Sequence, residues 1–275
     1  FLTTRTPGSK FGWIDMETKE NITIFHIYRK DGTTLFLHPF ENPNKLLSVL
    51  KKADVQGKFG REPRVESLTM FRNDLYRMIE AAVKSWVLEV RFIPRFLVSA
   101  GSFLLAYLFL SFVIRDPIPI IDEILIGGGI ALVVYYMLGR RDQRSSLALK
   151  KRVELRTAVD RIVFKEDPFV REVESALQLN ETEGKEKVLK QMLDNVSTQF
   201  SIEDHGDAEQ MLSYLEKRFS SKEYKKKEKF ISRTRARAAL EKDVEVLSRW
   251  SDSRKIDVSL FDVYRRVKKS YRQVK

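Results

Sequence analysis

The residues best placed to do chemistry are basic. Between Lys217 and Leu240 stand ten Lys or Arg against two Glu, among them Lys225, Lys226, Lys227, Lys229, Arg233, Arg235 and Arg237. Such a run has three readings. It can be the solvated face of a long helix. It can attract anionic lipid headgroups, at about 1 kcal/mol for each basic residue near the surface, or serve an acidic protein partner in the same way. It can also contact the backbone phosphates of nucleic acid. Phe219, Tyr224 and Phe230 interleave with the charges, and either stack on bases or anchor a core. Arg265, Arg266, Lys268 and Lys269 repeat the pattern near the end of the chain.

Other candidates carry less chemistry. His26 and His38 fall on two neighbouring strand-like segments, without a carboxylate at ligand spacing, which makes a poor metal site. His205 stands among Glu203, Asp204 and Asp207 but matches no calcium-loop spacing. Asp122 and Glu123 are the acids nearest the apolar stretch, where a proton or ion role competes with a place at its outer edge. There is no Gly-rich phosphate loop, HExxH or nucleophile elbow. Absence of Cys excludes disulfides, thiolate zinc sites and cysteine catalysis. The sequence therefore predicts a non-enzymatic protein with no cofactor and no metal.

These residues are arranged around the most apolar stretch, Phe96–Leu138, which contains two nearly uncharged runs, Phe96–Ile114 and Ile124–Leu138. A spanning helix needs roughly 20 predominantly apolar residues. The first run meets that alone, and the second does so when Ile120 and Ile121 are included. The pattern predicts a transmembrane helical hairpin over 95–139. Gly127, Gly128 and Gly129 would let helices approach closely, either within the hairpin or against a partner's span. Lys84, Arg91 and Arg95 precede the hairpin and Arg140, Arg141 and Arg144 follow it, so the positive-inside rule puts both termini in the cytoplasm. The formal charge of +12 suits an anionic partner. Beside a membrane, lipid or an acidic protein is favoured over nucleic acid.

Before the hairpin, Phe11–Met16 and Ile22–Tyr28 read as strands, and Asp31-Gly32 is a hairpin turn into Thr33–His38. Asn42 and Pro43 are an N-cap and a first helical residue. Asp54–Pro63 reads as a linker. Leu68, Phe71, Leu75, Met78, Ile79, Ala82, Val83 and Trp86 then form a helical stripe, which packs on a neighbouring domain or lies in a membrane interface. From Ser145 the pattern is helical throughout, with Asp167-Pro168 as another N-cap and Pro pair.

The strand, Asp-Gly turn, strand and Phe40-Glu41-Asn42-Pro43-Asn44-Lys45-Leu46-Leu47-Ser48-Val49-Leu50 together resemble the C-terminal half of a bacterial pleckstrin-homology-like domain, over about residues 10–53. The resemblance implies a binding or scaffolding module, often beside membrane spans, and transfers no catalytic residue.

The expected fold is thus a two-span hairpin between an N-terminal small α+β (PH-like) cytoplasmic module, 1–53, and a C-terminal all-α cytoplasmic domain, 140–275, with 54–94 as linker and amphipathic helix. The expected function is an inner-membrane scaffold or anchoring subunit that binds lipids and other proteins. The alternative is an oligomeric transport or channel component, with further copies of this chain as partners.

Overall fold

The structure, a computed structural model, describes residues 21–40, 42–114, 120–194, 199–233 and 240–274. The Phe11–Met16 strand expectation, and Arg235 and Arg237, lie outside the described residues.

Strand β1, Asn21–Tyr28, is buried along nearly its whole length, which its unbroken run of β-branched and aromatic residues requires. It turns through Asp31-Gly32, where Asp31 Oδ1 accepts hydrogen bonds from Thr33 N (2.9 Å) and Thr33 Oγ1 (2.6 Å). Gly32 has φ of 81°, a conformation open to Gly. Strand β2, Thr34–Leu37, returns antiparallel to β1. Helix α1, Pro43–Lys52, follows and crosses to β3, Asp54–Phe59, which lies parallel to β1. The segment expected as a linker is therefore a central strand.

Helix α2, Val65–Val90, leads into the apolar hairpin. The hairpin consists of α3, Phe92–Phe109, closed by a π turn at Leu110–Ile114, and α4, Ile120–Gln143. Helix α5, Ser146–Asp160, returns along α2 and delivers β4, Phe164–Glu166, which pairs parallel with β3. The sheet order is β2-β1-β3-β4. The hairpin thus sits inside a parallel crossover, whose long connection parallel pairing demands. An all-α segment after 140 is corrected accordingly: residues 164–166 complete the sheet.

The remaining helices are α6 Pro168–Glu183, α7 Lys185–Asp194, α8 His205–Arg218, α9 Lys222–Arg233, α10 Leu240–Ser253 and α11 Val258–Val274. Asp167 caps α6, its side chain accepting from Val170 N at 3.1 Å. Gly184 ends that helix, and α7 begins directly after it.

Helices cover both faces of the sheet. Ile24 faces a core made by α1, α2 and α5, including Leu46, Leu75, Ile79, Val83, Leu155 and Val159. Phe25, Ile27 and Leu37 face a larger core made by α6 to α11, including Val173, Leu189, Met211, Leu215, Phe261 and Val267. The α2 stripe is spent on packing: Phe71, Leu75, Ile79, Ala82, Val83 and Val87 are buried within the body.

Close approach fixes the β3–α6 corner. A Cβ added at Gly60 would stand 2.6 Å from the Arg171 Cα. Backbone cannot yield as a flexible side chain can, so Gly60→Ala is expected to cost about 1–3 kcal/mol. Thermal unfolding followed by circular dichroism checks this; an unchanged midpoint would mean the corner has slack.

The hairpin is the part that the body does not cover. Among the described residues, two helices are long and apolar enough to span a membrane, Phe92–Phe112 and Glu123–Gln143. Within their most apolar windows only 11% and 6% of residues are buried. They pack on each other, Ser99 Oγ donating to Ala131 O at 3.1 Å, and they expose Leu105, Phe112 and Leu132 by more than two thirds (72%, 73% and 72%). Of the glycine run, Gly127 is the one at the interhelix contact, where a Cβ would lie 3.3 Å from the Phe103 ring. At Gly128 and Gly129 a Cβ would meet open space.

Candidate anion site at the base of the apolar hairpin

Where the hairpin joins the body, four arginines share one cavity of about 850 Å³. Arg91 comes from the break between α2 and α3, while Arg140, Arg141 and Arg144 come from the end of α4 and the bend into α5. Tyr136, Met137 and Leu138 supply an apolar wall, Asp142 the one carboxylate, and Ser145 the side towards the body.

The chain is fixed firmly around this cavity. Ser145 caps α5, its hydroxyl accepting from Ala148 N at 3.3 Å and donating to Asp142 O at 2.7 Å. Gln143 Nε2 donates to Lys84 O, tying the end of α4 to α2. Arg152 Nη1 donates to Gln143 O at 2.9 Å. Glu80 on α2 accepts from Arg152 and Arg156 on α5, at 2.8 and 2.9 Å. Deeper in the hairpin, Arg95 is buried against the Tyr135 ring (4.5 Å) and donates to Leu88 O at 3.1 Å. Arg95 is thus a brace between α2, α3 and α4 rather than a cavity cation.

The cavity arginines are differently placed. Arg140 lies over the Tyr136 ring at 4.8 Å. Arg140, Arg141 and Arg144 are exposed and Arg91 is half-buried. Among the described residues, no ion pair or side-chain hydrogen bond engages Arg91, Arg141 or Arg144. Planar guanidinium forks gathered in one concavity suit an anion with several oxygens, above all a phosphate.

Two other cavities on the body neutralise their own charge. In one, Arg29 pairs with Glu181 and Asp257, both at 2.7 Å. In the other, Arg171 pairs with Glu166, and Glu174 is buried, accepting from Tyr28 N at 3.2 Å. Burial lifts the Glu174 carboxyl above its ordinary range, opposed by those backbone hydrogen bonds.

The basic run is divided by the fold. Lys225, Lys226 and Lys229 are exposed on α9. Lys227 instead folds over Phe230 (5.6 Å) and Trp250 (5.8 Å). Arg233 ends the helix. Phe219 is buried, and Tyr224 packs edge-on against it and against Trp250, so these aromatics anchor the core. Of the terminal cluster, Lys268 pairs with Glu228 at 2.8 Å and Arg266 with Asp262 at 2.7 Å.

The histidines do not meet. His26 is buried between Tyr28 and Phe36, whereas His38 stacks on Phe40 and its Nδ1 accepts from Phe40 N. His205 opens α8 and is exposed. Among the described residues, no group of three or more His, Asp or Glu could hold a metal ion.

The cavity draws on residues that the sequence marks only as topology signals. The missed clue is their spacing: Arg140, Arg141 and Arg144 put cations around one helix end, where they converge if the chain bends at Ser145. No protein-family model matches the chain, and no curated protein or solved structure is significantly similar to it.

Proposed function

We propose that the chain is a non-enzymatic, two-span membrane anchor and scaffold. The exposure of the α3–α4 hairpin carries this reading. Burying a helix of this hydrophobicity is the usual fate in a soluble core, and here the body leaves it bare. A lipid bilayer is the covering that suits two such helices with paired backbones. Positive residues at both ends of the hairpin favour an orientation with the body and both termini in the cytoplasm, and the location proposed with it is a bacterial inner membrane.

The scaffold reading follows from how the hairpin is held. Both spans run into helices, α2 and α5, that pack on one side of the sheet. A load or displacement in the membrane is therefore passed to a body presenting Lys225, Lys226 and Lys229 to an acidic partner. The pleckstrin-homology-like resemblance of residues 10–53 enters only as a second expectation of a binding role. The alternative, an oligomeric transport or channel component, draws support from Gly128 and Gly129, whose outward space leaves room for another helix.

The absence of Cys makes topology directly measurable. Pro117→Cys should react with a membrane-impermeant maleimide on intact cells, and Ser221→Cys only after lysis. Retention in membranes through an alkaline carbonate wash is expected with both. Release by that wash would sink the membrane reading, and labelling of Ser221→Cys on intact cells would reverse the orientation.

A further inference from the structure

We propose that the arginine cavity at the base of the hairpin seats the phosphate of an anionic phospholipid headgroup. The inference rests on the membrane reading above and adds a defined lipid site to it.

Three observations converge. The first is charge: four guanidinium groups line the cavity against one carboxylate, Asp142. The second is the lack of internal partners. No ion pair or side-chain hydrogen bond engages Arg91, Arg141 or Arg144 among the described residues, although Asp142 lines the same cavity. Guanidinium groups collected in a concavity repel one another, and the arrangement becomes favourable when an anion enters. The third is position. The cavity opens where the spanning helices end, and Tyr136 and Met137 on its wall are 60% and 64% exposed. Phe92 and Ile93 expose apolar surface just beyond Arg91. A headgroup in the cavity would thus leave its acyl chains against surface that already needs apolar cover. A soluble phosphate would use the guanidinium groups but not that wall. Basic pockets between spanning helices on the cytoplasmic side have this lipid-binding chemistry.

The choice of this cavity over α9 is also physical. The exposed lysines of α9 are separate point charges along one helix, while the arginines bring planar forks together around one cavity. A contact of the first kind is diffuse and a contact of the second is selective for phosphate oxygens.

The test uses the full chain, first shown to resist carbonate wash, so that loss of the membrane reading is seen separately. The chain is reconstituted in phosphatidylcholine nanodiscs containing a minor fraction of fluorescent phosphatidylglycerol. Bound probe is read by energy transfer from the three tryptophans. The parent is expected to enrich the anionic probe over a fluorescent phosphatidylcholine. Arg91→Gln/Arg141→Gln/Arg144→Gln should lose that enrichment by on the order of tenfold or more. Lys225→Gln/Lys226→Gln/Lys229→Gln should retain it. Arg→Lys at the same three arginines, which keeps charge but loses the fork, should fall between. These side chains lie at a cavity rim, so an unchanged thermal midpoint is expected for every variant.

Equal enrichment of both probes by the parent would overturn the proposal. So would equal losses in the arginine and lysine variants, which would mean diffuse charge attraction. Complete displacement of the anionic probe by millimolar inorganic phosphate would assign the cavity to a soluble ion and overturn the lipid source.

Discussion

Lys58→Met is expected to lower the thermal midpoint of the body by about 10 °C, from a loss of about 3–5 kcal/mol. Lys58 stands on β3 with its ammonium between Asp167 Oδ2, at 2.9 Å, and Asp207. Asp207 is buried in the first turn of α8, where Thr23 Oγ1 on β1 also donates to it at 2.7 Å. Burial works against the Lys58 charge, but the hydrogen bonds to Asp207 and Asp167 outweigh it and hold its pKa above the ordinary value. Removing the cation leaves two carboxylates facing each other, one of them enclosed. The same network joins strands before the hairpin to helices after it. Its loss therefore loosens the closure of the body and not merely one contact. Lys58→Met/Asp207→Leu should recover part of the loss, because the uncompensated charge is then gone. Circular dichroism melts of parent, both single variants and the double variant in mild detergent give the coupling. A single Lys58→Met variant melting within 2 °C of the parent would show that water screens the site.

A comparable loss is expected on mild acidification, and His26 is its main single source. The ring is fully buried, edge-on to Tyr28 at 4.6 Å and to Phe36 at 4.9 Å between centroids. Among the described residues neither ring nitrogen has a hydrogen-bond partner. Burial therefore pushes its pKa down from 6.5 to about 4. Between those values the unfolded chain binds the extra proton and the folded chain does not. Stability from the neutral ring is full above about pH 6.5 and is lost progressively as pH falls towards 4. The whole shift corresponds to about 3 kcal/mol. His26→Phe should flatten this acid limb and also gain about 1 kcal/mol near neutrality, where an unsatisfied polar ring is replaced by an apolar one. Urea titrations of parent and variant at pH 7, 5.5 and 4.5 isolate the contribution, since carboxylates elsewhere titrate in both. Parallel pH profiles would mean that the buried ring finds a partner and stays near its ordinary pKa.

The hairpin, the Asp-Gly turn, the N-cap at Asp167 and most helices were legible in the residues. Each is set by signals within about one helical length: uncharged runs, a residue free to adopt positive φ, or a side chain that accepts from its own first turn. The stripe from Leu68 to Trp86 was equally clear as a pattern, but whether it faces protein or lipid was not, because amphipathicity states that a face needs cover and not what covers it.

Tertiary structure alone decided how the parts close. Strand β3 hides in Asp54–Phe59 because its polar residue Lys58 points into an ion network and Gly57 makes room for the Phe164 ring, so the usual apolar alternation is broken. Strand β4 has three residues, too few for any period. Its partner lies across the entire hairpin, Gly57 opposite Phe164, and pairing over that separation leaves no local trace. The basic residues show the same division. Charge and position along the chain follow from the sequence, and they gave equal weight to Lys227 and Lys225. Only packing turns Lys227 onto Trp250, pairs Lys268 with Glu228, and gathers Arg91, Arg141 and Arg144 around one cavity with no ion pair among the described residues, because pairing depends on which acids the folded chain brings within reach.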